Sequence, residues 1–503
     1  MAFEAAQRQL TGSARYLAGV CAVASLGGLL FGFDTAVISG TFKFVEKQFE
    51  LSKPAVGWFG SSALVGCIIG AALAGMLGDR HGRKPILLVS GFFFLISAIL
   101  SAVMPNFALL IPARLVGGLG VGMASVLAPM YISEFAPPKM RGRLVALYQL
   151  SIVIGILAAY CSNWLLLRFA QGNPGAFGGE GLLHWLLVGE LWRGMFGAET
   201  VPAGLFFLLL LLVPESPRWL AKEGRHEQAL RILTKVGGKE VARRQLDEIT
   251  GALAREEGTL AELLRPGLRL ALIVGIGLSL FGQLTGVNIV IYYGPDVLQH
   301  AGFARIGAFQ FQVGFGLINL VFTLIALVLI DRVGRRPLLI GGMTAVVVTL
   351  ATTGVLFLLA DPHFTINPKT GQEKLLLAHA ELGPWIALTL SAYMACVALS
   401  ICAVIWVLTP EIFPNRVRGR AMSIATLTNW GTNTVSVFLF PWYVHHYGMH
   451  VGFLTFAAIC LVGTIFFWRY VPETKGKSLE EIERLWLSRS ADTADDDKPS
   501  TQA

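Results

Sequence analysis

Apolar positions run along this chain in unbroken blocks, without the one-sided rhythm of a soluble amphipathic helix. Twelve blocks of about 18 to 25 residues alternate with short polar connections, and each can cross a hydrocarbon core of roughly 30 Å as a helix. The pattern predicts spans at 16–38, 56–77, 86–104, 107–130, 144–167, 195–213, 269–293, 309–330, 338–359, 384–409, 420–441 and 451–471. The first is Gly-rich and lacks a small-residue cleavage site, so it reads as a retained helix, not a signal peptide.

Composition agrees with that reading. Hydrophobic residues make up 54% of the chain and charged ones only 14%, with mean hydropathy +0.63, where a soluble domain has about a quarter of its residues charged. The expected class is an all-α membrane protein. The net charge of +8 is a topology signal first and gives no reason to invoke nucleic acid. Lys and Arg concentrate in alternate connections, "GDRHGRK" (78–84), "PPKMRGR" (137–143), 215–268, "DRVGRR" (331–336) and "NRVRGR" (415–420), while the loops near 105, 295–308 and 442–450 carry almost none. The positive-inside bias puts both termini and the 215–268 segment in the cytoplasm. The absence of N-x-Ser/Thr from the outer loops favours a bacterial inner (plasma) membrane. All six cysteines fall within apolar spans, without CxxC spacing or a His/Asp cluster, so they read as packing residues and no metal site is expected.

The chain repeats itself. "GDRHGRKPILL" (78–88) is matched by "IDRVGRRPLLI" (330–340), "ISEFAPPKMRGR" (132–143) by "TPEIFPNRVRGR" (409–420), and "VPESPRWL" (213–220) by "VPETKGKSL" (471–479). Three matches in one order define two six-helix halves in the same orientation, as in transporters with parallel repeats. The expected organisation is a cytoplasmic N-terminal segment (1–15), a first half (16–214), a cytoplasmic helical linker (215–268), a second half (269–472) and a C-terminal helix with a disordered tail (473–503). In the linker, Leu220, Ala221, Ala229, Ile232, Leu233, Leu246 and Ile249 recur at helical spacing.

Taken together, the duplicated "GDRxGRK" motif, "PESPRWL", "PETKG", "LFGFDTAVISG" and "ARLVGGLGVG" resemble the sugar porter family of the major facilitator superfamily, and within it the bacterial proton-coupled, xylose-type symporters. The resemblance covers about residues 16 to 485. It implies a major facilitator fold and alternating access between the halves.

The basic motifs pair acids with arginines at helix ends: Asp79, Arg83, Glu134, Arg141 and Arg143 in one half, Asp331, Arg335, Glu411, Arg418 and Arg420 in the other. A bundle that rocks between two states needs latches that hold in one and part in the other; the plain alternative is a set of topology determinants. The resemblance implies that Glu215, Arg218 and Glu473 complete these networks.

Asp34 lies about 18 residues into the first span, roughly 27 Å from the cytoplasmic side, while Arg114 lies roughly 10 Å below the outer surface in the fourth, with Glu199 at similar or shallower depth in the sixth. A lone charge at a helix centre costs about 2.5 to 3.5 kcal/mol, so acids near an arginine here are expected to be paired and functional. Burial favours a protonated carboxyl and a neighbouring arginine favours the carboxylate, so a movement of Arg114 would switch Asp34 between holding and losing a proton. The nine histidines lie in loops or at span edges and leave Asp34 as the best-placed carrier. The alternative is a static ion pair in a passive carrier; passive animal glucose carriers have an amide at the position of Asp34.

A sugar presents neutral hydroxyls that donate and accept, so its site calls for amides and aromatic faces. Gln149, Gln283, Asn288, Asn319, Asn429 and Asn433 supply amides at middle depths, and Phe31, Tyr292, Tyr293, Trp406 and Trp430 supply rings. On a straight helix Gln283 and Tyr292 would face opposite ways, so an unwinding near Gly286, Gly294 or Pro295 is expected. The family's usual glutamine pair is Gly282-Gln283 here, its usual tryptophan and Gly-Pro are Ile401 and Cys402-Ala403, and a frequent glutamine after Gln149 is Ile156. The expected activity is uptake of a monosaccharide, pentose or hexose, or a polyol, together with a proton, by a monomer in the lipid bilayer. Passive uniport by the same fold is the first alternative and a transporter-like sugar sensor the second. No phosphate-binding loop, nucleophile motif or cofactor site is present in the sequence, and an enzyme is not expected.

Overall fold

In hydrocarbon every backbone N–H and C=O needs an internal partner, which leaves the helix as the available form for these apolar blocks. The computed structural model describes residues 13–137, 140–253, 260–265, 268–360, 362–366, 373–414, 417–476, 481–482 and 486. Eleven helical stretches in it are long and apolar enough to span a membrane: Ala14–Gly40, Lys53–His81, Arg83–Val103, Phe107–Phe135, Arg141–Gly172, Leu191–Leu212, Leu268–His300, Arg305–Val333, Arg335–Ala360, Ala380–Glu411 and Arg418–Tyr470. The last is two spans joined at Gly448, whose φ of 84° and ψ of 163° interrupt the helix. That gives the twelve spans of the sequence pattern, numbered one to twelve below. The expected disordered tail lies outside the described residues.

One departure from a purely helical chain is an antiparallel hairpin between spans nine and ten, with Pro362–Ile366 paired to Glu373–Leu377. Its two strands are too short for alternation to stand out in the sequence.

The described residues fall into two compact units. The first comprises those up to 253 together with Ile291–Pro295 and Arg305–Gly316; the second comprises the rest, including spans nine to twelve. In the first, span one lies hard against span five. A Cβ on Gly32 would strike the backbone of Ile152 and Ile156, and one on Gly155 that of Leu29 and Phe33, the close approach that small residues allow between membrane helices. The described residues of the linker include a 3₁₀ turn over Leu260–Leu264 and three α-helices, Pro217–Lys222, His226–Gly237 and Lys239–Leu253. Leu220, Ala221 and Ala229 form their core, covered by Trp219, Ile232, Leu246 and Ile249.

Several spans are broken where polar residues sit. Span six is helical over Leu191–Gly197 and again over Thr200–Leu212, with Glu199 in the turn between. Span seven runs Leu268–Gln283, then Val287–His300, separated at Gly286 with φ 82°, a left-handed conformation that costs glycine nothing. Pro295 stays inside the second piece. Span ten breaks at Ser400, with φ −110° and ψ −94°.

Candidate functional site

The first unit buries a charged cluster. Arg114 Nη1 donates to Asp34 Oδ1 at 2.5 Å and Nη2 to Oδ2 at 3.4 Å, with the arginine 1% and the aspartate 4% exposed. The guanidinium stands 5.0 Å from the centre of the Phe196 ring. Glu199, also buried, is close enough to interact electrostatically with both partners. Cys67 and Tyr292 share the same surroundings, and Tyr292 is also near Thr35. Tyr292, expected among sugar contacts, therefore lies in the charged layer, and its neighbour Tyr293 stacks on Phe42 at 4.5 Å.

The second unit gathers amides. Gln283 Nε2 donates to Asn429 Oδ1 at 2.8 Å, and Asn288 Nδ2 donates to Gln283 Oε1 at 2.5 Å. The break at Gly286 is what turns Asn288 back toward Gln283, five positions earlier. Asn433 is buried with Oδ1 lacking a partner among the described residues. Asn319 and Trp430 are buried, whereas Trp406 is 44% exposed. A Cβ on Gly282 would meet Ile405, with Ile401 behind it, so apolar packing fills the place of an amide. In the first unit Gln149 and Phe31 are half-buried.

The basic ends of the two halves carry the same network twice. Span two ends at Gly82 with φ 101° and span eight at Gly334 with φ 105°, each followed at once by the arginine that opens the next span. Arg83 bonds Asp79 at 2.9 Å and Glu134 at 3.1 Å, while Arg335 bonds Asp331 at 3.2 Å and Glu411 at 3.1 Å. Glu215 accepts from the backbone N–H of Arg83 and Lys84, and Glu473 accepts from Arg335 and Arg336. Each carboxylate therefore caps a helix N-terminus, where donors are free and the dipole is positive. Ser216 donates to Glu134 and Thr474 to Glu411. Burial pushes the Glu215 carboxyl above the usual range, against the pull of the N–H groups of Ser216, Lys84 and Arg83. Of the remaining arginines, Arg418 is close enough to Glu411 to interact with it electrostatically, and no ion pair joins the others to these acids among the described residues. Arg141, Arg143 and Arg218 are exposed, Arg420 is half-buried, and Arg418 donates to the Phe413 carbonyl.

A further polar cluster, at the opposite end of the first unit, joins residues that no sequence motif connects. Arg193, 2% exposed, pairs with Glu190 at 2.7 Å, lies 4.3 Å and 4.2 Å from the Trp185 and Trp192 rings, and donates to the carbonyls of Ala102 and Met104. Glu190 also accepts from Gln48 and Trp185, and Gln48 accepts from Trp192. Burial opposes the Glu190 charge, but donors from Gln48, Trp185 and Arg193 outweigh it and hold this carboxyl below the usual range. The one sequence signal was the i, i+3 spacing of Glu190 and Arg193.

Residues 20–486 match the family described as "Sugar (and other) transporter". The arabinose-proton symporter of Bacillus subtilis is 39% identical over 469 residues, covering 93% of this chain and 94% of that protein. The D-xylose-proton symporter of Escherichia coli K12 is 36% identical over 506 residues, covering 94% and 96%. Among solved structures, the partially occluded inward-open xylose transporter XylE of E. coli superposes with a TM-score of 0.77 at 34% identity, covering 92% of this chain and all of that one. With twelve spans, duplicated Arg-centred networks and these matches along nearly its whole length, the chain belongs to the sugar transporter family of the major facilitator superfamily and is an integral membrane transporter, not an enzyme.

Proposed function

We propose that the chain imports a monosaccharide together with a proton by alternating access, with Asp34 as the proton site. The observation that carries this reading is the buried Asp34–Arg114 pair with Glu199 beside it. Two acids and one arginine in a dry interior leave one negative charge in excess when all are ionised, and a proton is the natural counter-charge. Arg114 ties down Asp34 in the present arrangement, and its departure would leave a carboxylate that binds a proton. A proton entering with a neutral sugar moves one charge, worth about 2.3 kcal/mol per 100 mV.

The sugar is held by the amide chain Gln283, Asn288 and Asn429 together with Asn433, Asn319 and the Trp430 ring. Their donors and acceptors match hydroxyls without charge, and a pentose or hexose is the expected substrate class. Arg83 and Arg335 with their acids act as latches. The basic end faces the cytoplasm, with both termini on that side, and the working unit is a monomer in the plasma membrane.

The test is sugar accumulation in sealed vesicles with an imposed proton gradient. Asp34→Asn is expected to abolish accumulation above equilibrium while labelled sugar still exchanges with unlabelled sugar. Full accumulation by that variant would overturn the assignment, and equal loss of exchange would make Asp34 a structural residue.

A further inference from the structure

Span one changes its helical form just beyond Asp34. It is α-helical over Ala14–Val37 and 3₁₀ over Ile38–Gly40. In a continued α-helix the Thr41 N–H would bond the Val37 carbonyl; here it bonds the Ile38 carbonyl at 2.9 Å. Hydroxyls stitch the adjacent carbonyls, Ser39 to Ala36 at 2.7 Å and Thr41 to Ile38 at 2.8 Å. The Val37 carbonyl, which the 3₁₀ turn pairs with the Gly40 N–H, also accepts from a side chain of another span: Asn163 Nδ2 of span five donates to it at 2.9 Å.

Asn163 is 1% exposed, and its Oδ1 has no partner among the described residues. A buried polar atom left unpaired is costly, so an amide here calls for an explanation beyond packing. The joint is also built around it. A Cβ on Gly40 would stand 2.6 Å from Asn163 Nδ2 and 2.8 Å from Met195 Sδ, so only glycine leaves room for the amide.

We infer that Asn163 is a positioning residue for proton exchange: it selects the 3₁₀ form of the span-one joint and through it sets Asp34, one turn earlier, against Arg114. The alternative to this form is a continued α-helix, in which the Thr41 N–H replaces the Gly40 N–H on Val37 and the carbonyl is no longer tilted toward Asn163. With Asn163 engaged the outer end of span one is 3₁₀; with the Thr41 N–H returned to Val37 it would be α-helical, shorter by about 0.5 Å per residue and rotated. Either change is felt at Asp34 because the two residues share one turn of a helix packed against span five. The charged and titratable groups facing Asp34 are Arg114 of span four, Glu199 of span six, Cys67 of span two and Tyr292 of span seven, and a shift in span one alters its distance to all of them.

This inference rests on Asp34 being the proton site, and the experiment separates the two. Proton-driven uptake is measured across pH in vesicles for Asn163→Leu, Gly40→Ala, the double variant and Asp34→Asn, with thermal unfolding of each purified protein. Asn163→Leu deletes the bond and Gly40→Ala pushes the amide off it. Both are expected to move the pH of half-maximal uptake by about half a unit or more, and the double variant to move it no further than either single change. Additive shifts, or a lower unfolding temperature with the wild-type pH profile, would reduce Asn163 to a structural cap and overturn the inference. If Asp34→Asn itself keeps proton-driven accumulation, the proton site lies elsewhere and the inference falls with it.

Discussion

The two units bury different chemistry. Among the described residues every buried charged side chain, Asp34, Arg83, Arg114, Arg193 and Glu199, belongs to the first unit, whereas the second buries only hydroxyls and amides such as Ser279, Asn319, Thr353, Asn429 and Asn433. At the basic ends the two halves instead repeat each other residue for residue, from Gly82, Arg83, Glu134 and Glu215 to Gly334, Arg335, Glu411 and Glu473. A duplicated chain has kept what both halves need, a capped and cross-linked helix end, and has diverged where the halves differ in task. Charges suit an ion that must be held and released; amides suit a neutral polyhydroxyl solute.

Removing one partner from each layer tests that division most severely. Arg114→Leu strands Asp34 in a dry interior and is expected to cost about 3 to 5 kcal/mol, seen as a large fall in unfolding temperature and loss of accumulation. Gln283→Leu leaves the buried Asn429 and the half-buried Asn288 one partner short and is expected to cost about 1 to 3 kcal/mol, seen as weaker sugar affinity with proton coupling intact. If Gln283→Leu uncoupled the proton, or Arg114→Leu changed sugar affinity alone, the layers would not be separate.

How far the sequence reveals these layers follows from what helix geometry fixes. Depth is legible because the rise per residue is constant, so Asp34 and Arg114 could be set at one level before any contact was known. Azimuth is less so. Trp406 has the depth of a ring at a sugar but is 44% exposed, and Tyr292 shares a turn with Asn288 yet clusters with the first unit. The break in span seven announces itself through Gly286. The break in span ten does not, because Ser400 carries no Gly or Pro and what accommodates it is Gly342 on span nine, which a Cβ would press into the Ser400 side chain. Arg141, Arg143 and Arg218 looked equivalent to Arg83 by charge and motif. Only Arg83 is placed by the turn at Gly82 to reach both acids. The Arg193 cluster is not legible in the sequence because its partners come from Gln48, Ala102 and Met104, far apart in the chain.

A finer difference lies within the repeated networks. Arg83 and Glu134 have side chains 7% and 5% exposed, against 14% and 29% for Arg335 and Glu411. The same bonds are therefore worth more in the first half. Arg83→Ala is expected to cost about 3 kcal/mol and Arg335→Ala about 1.5 kcal/mol, as screening by solvent weakens the second network. Thermal unfolding of the two purified variants reads the order directly, and equal or reversed losses would mean that burial does not distinguish the halves.

The smallest effects come from two carboxylates at opposite ends of the first unit, and their signs differ. Glu215 is held above the usual carboxylate range by burial. In the window between the usual value and its raised one the folded state holds a proton that the unfolded chain has lost, so its contribution is present at lower pH and disappears as pH rises through the raised value. Glu190 is held below that range by its donors despite burial. Its contribution is present above the usual range and disappears as pH falls through the lowered value. Glu215→Gln should therefore flatten the fall in unfolding temperature on the alkaline side of the carboxylate range, and Glu190→Gln the fall on the acid side. Both act outside the spans, so neither should shift the pH dependence of uptake, which the buried layer sets. A matching shift in uptake from either variant would tie the ends of the bundle to the proton site and erase the boundary between the repeated and the divergent parts of the first half.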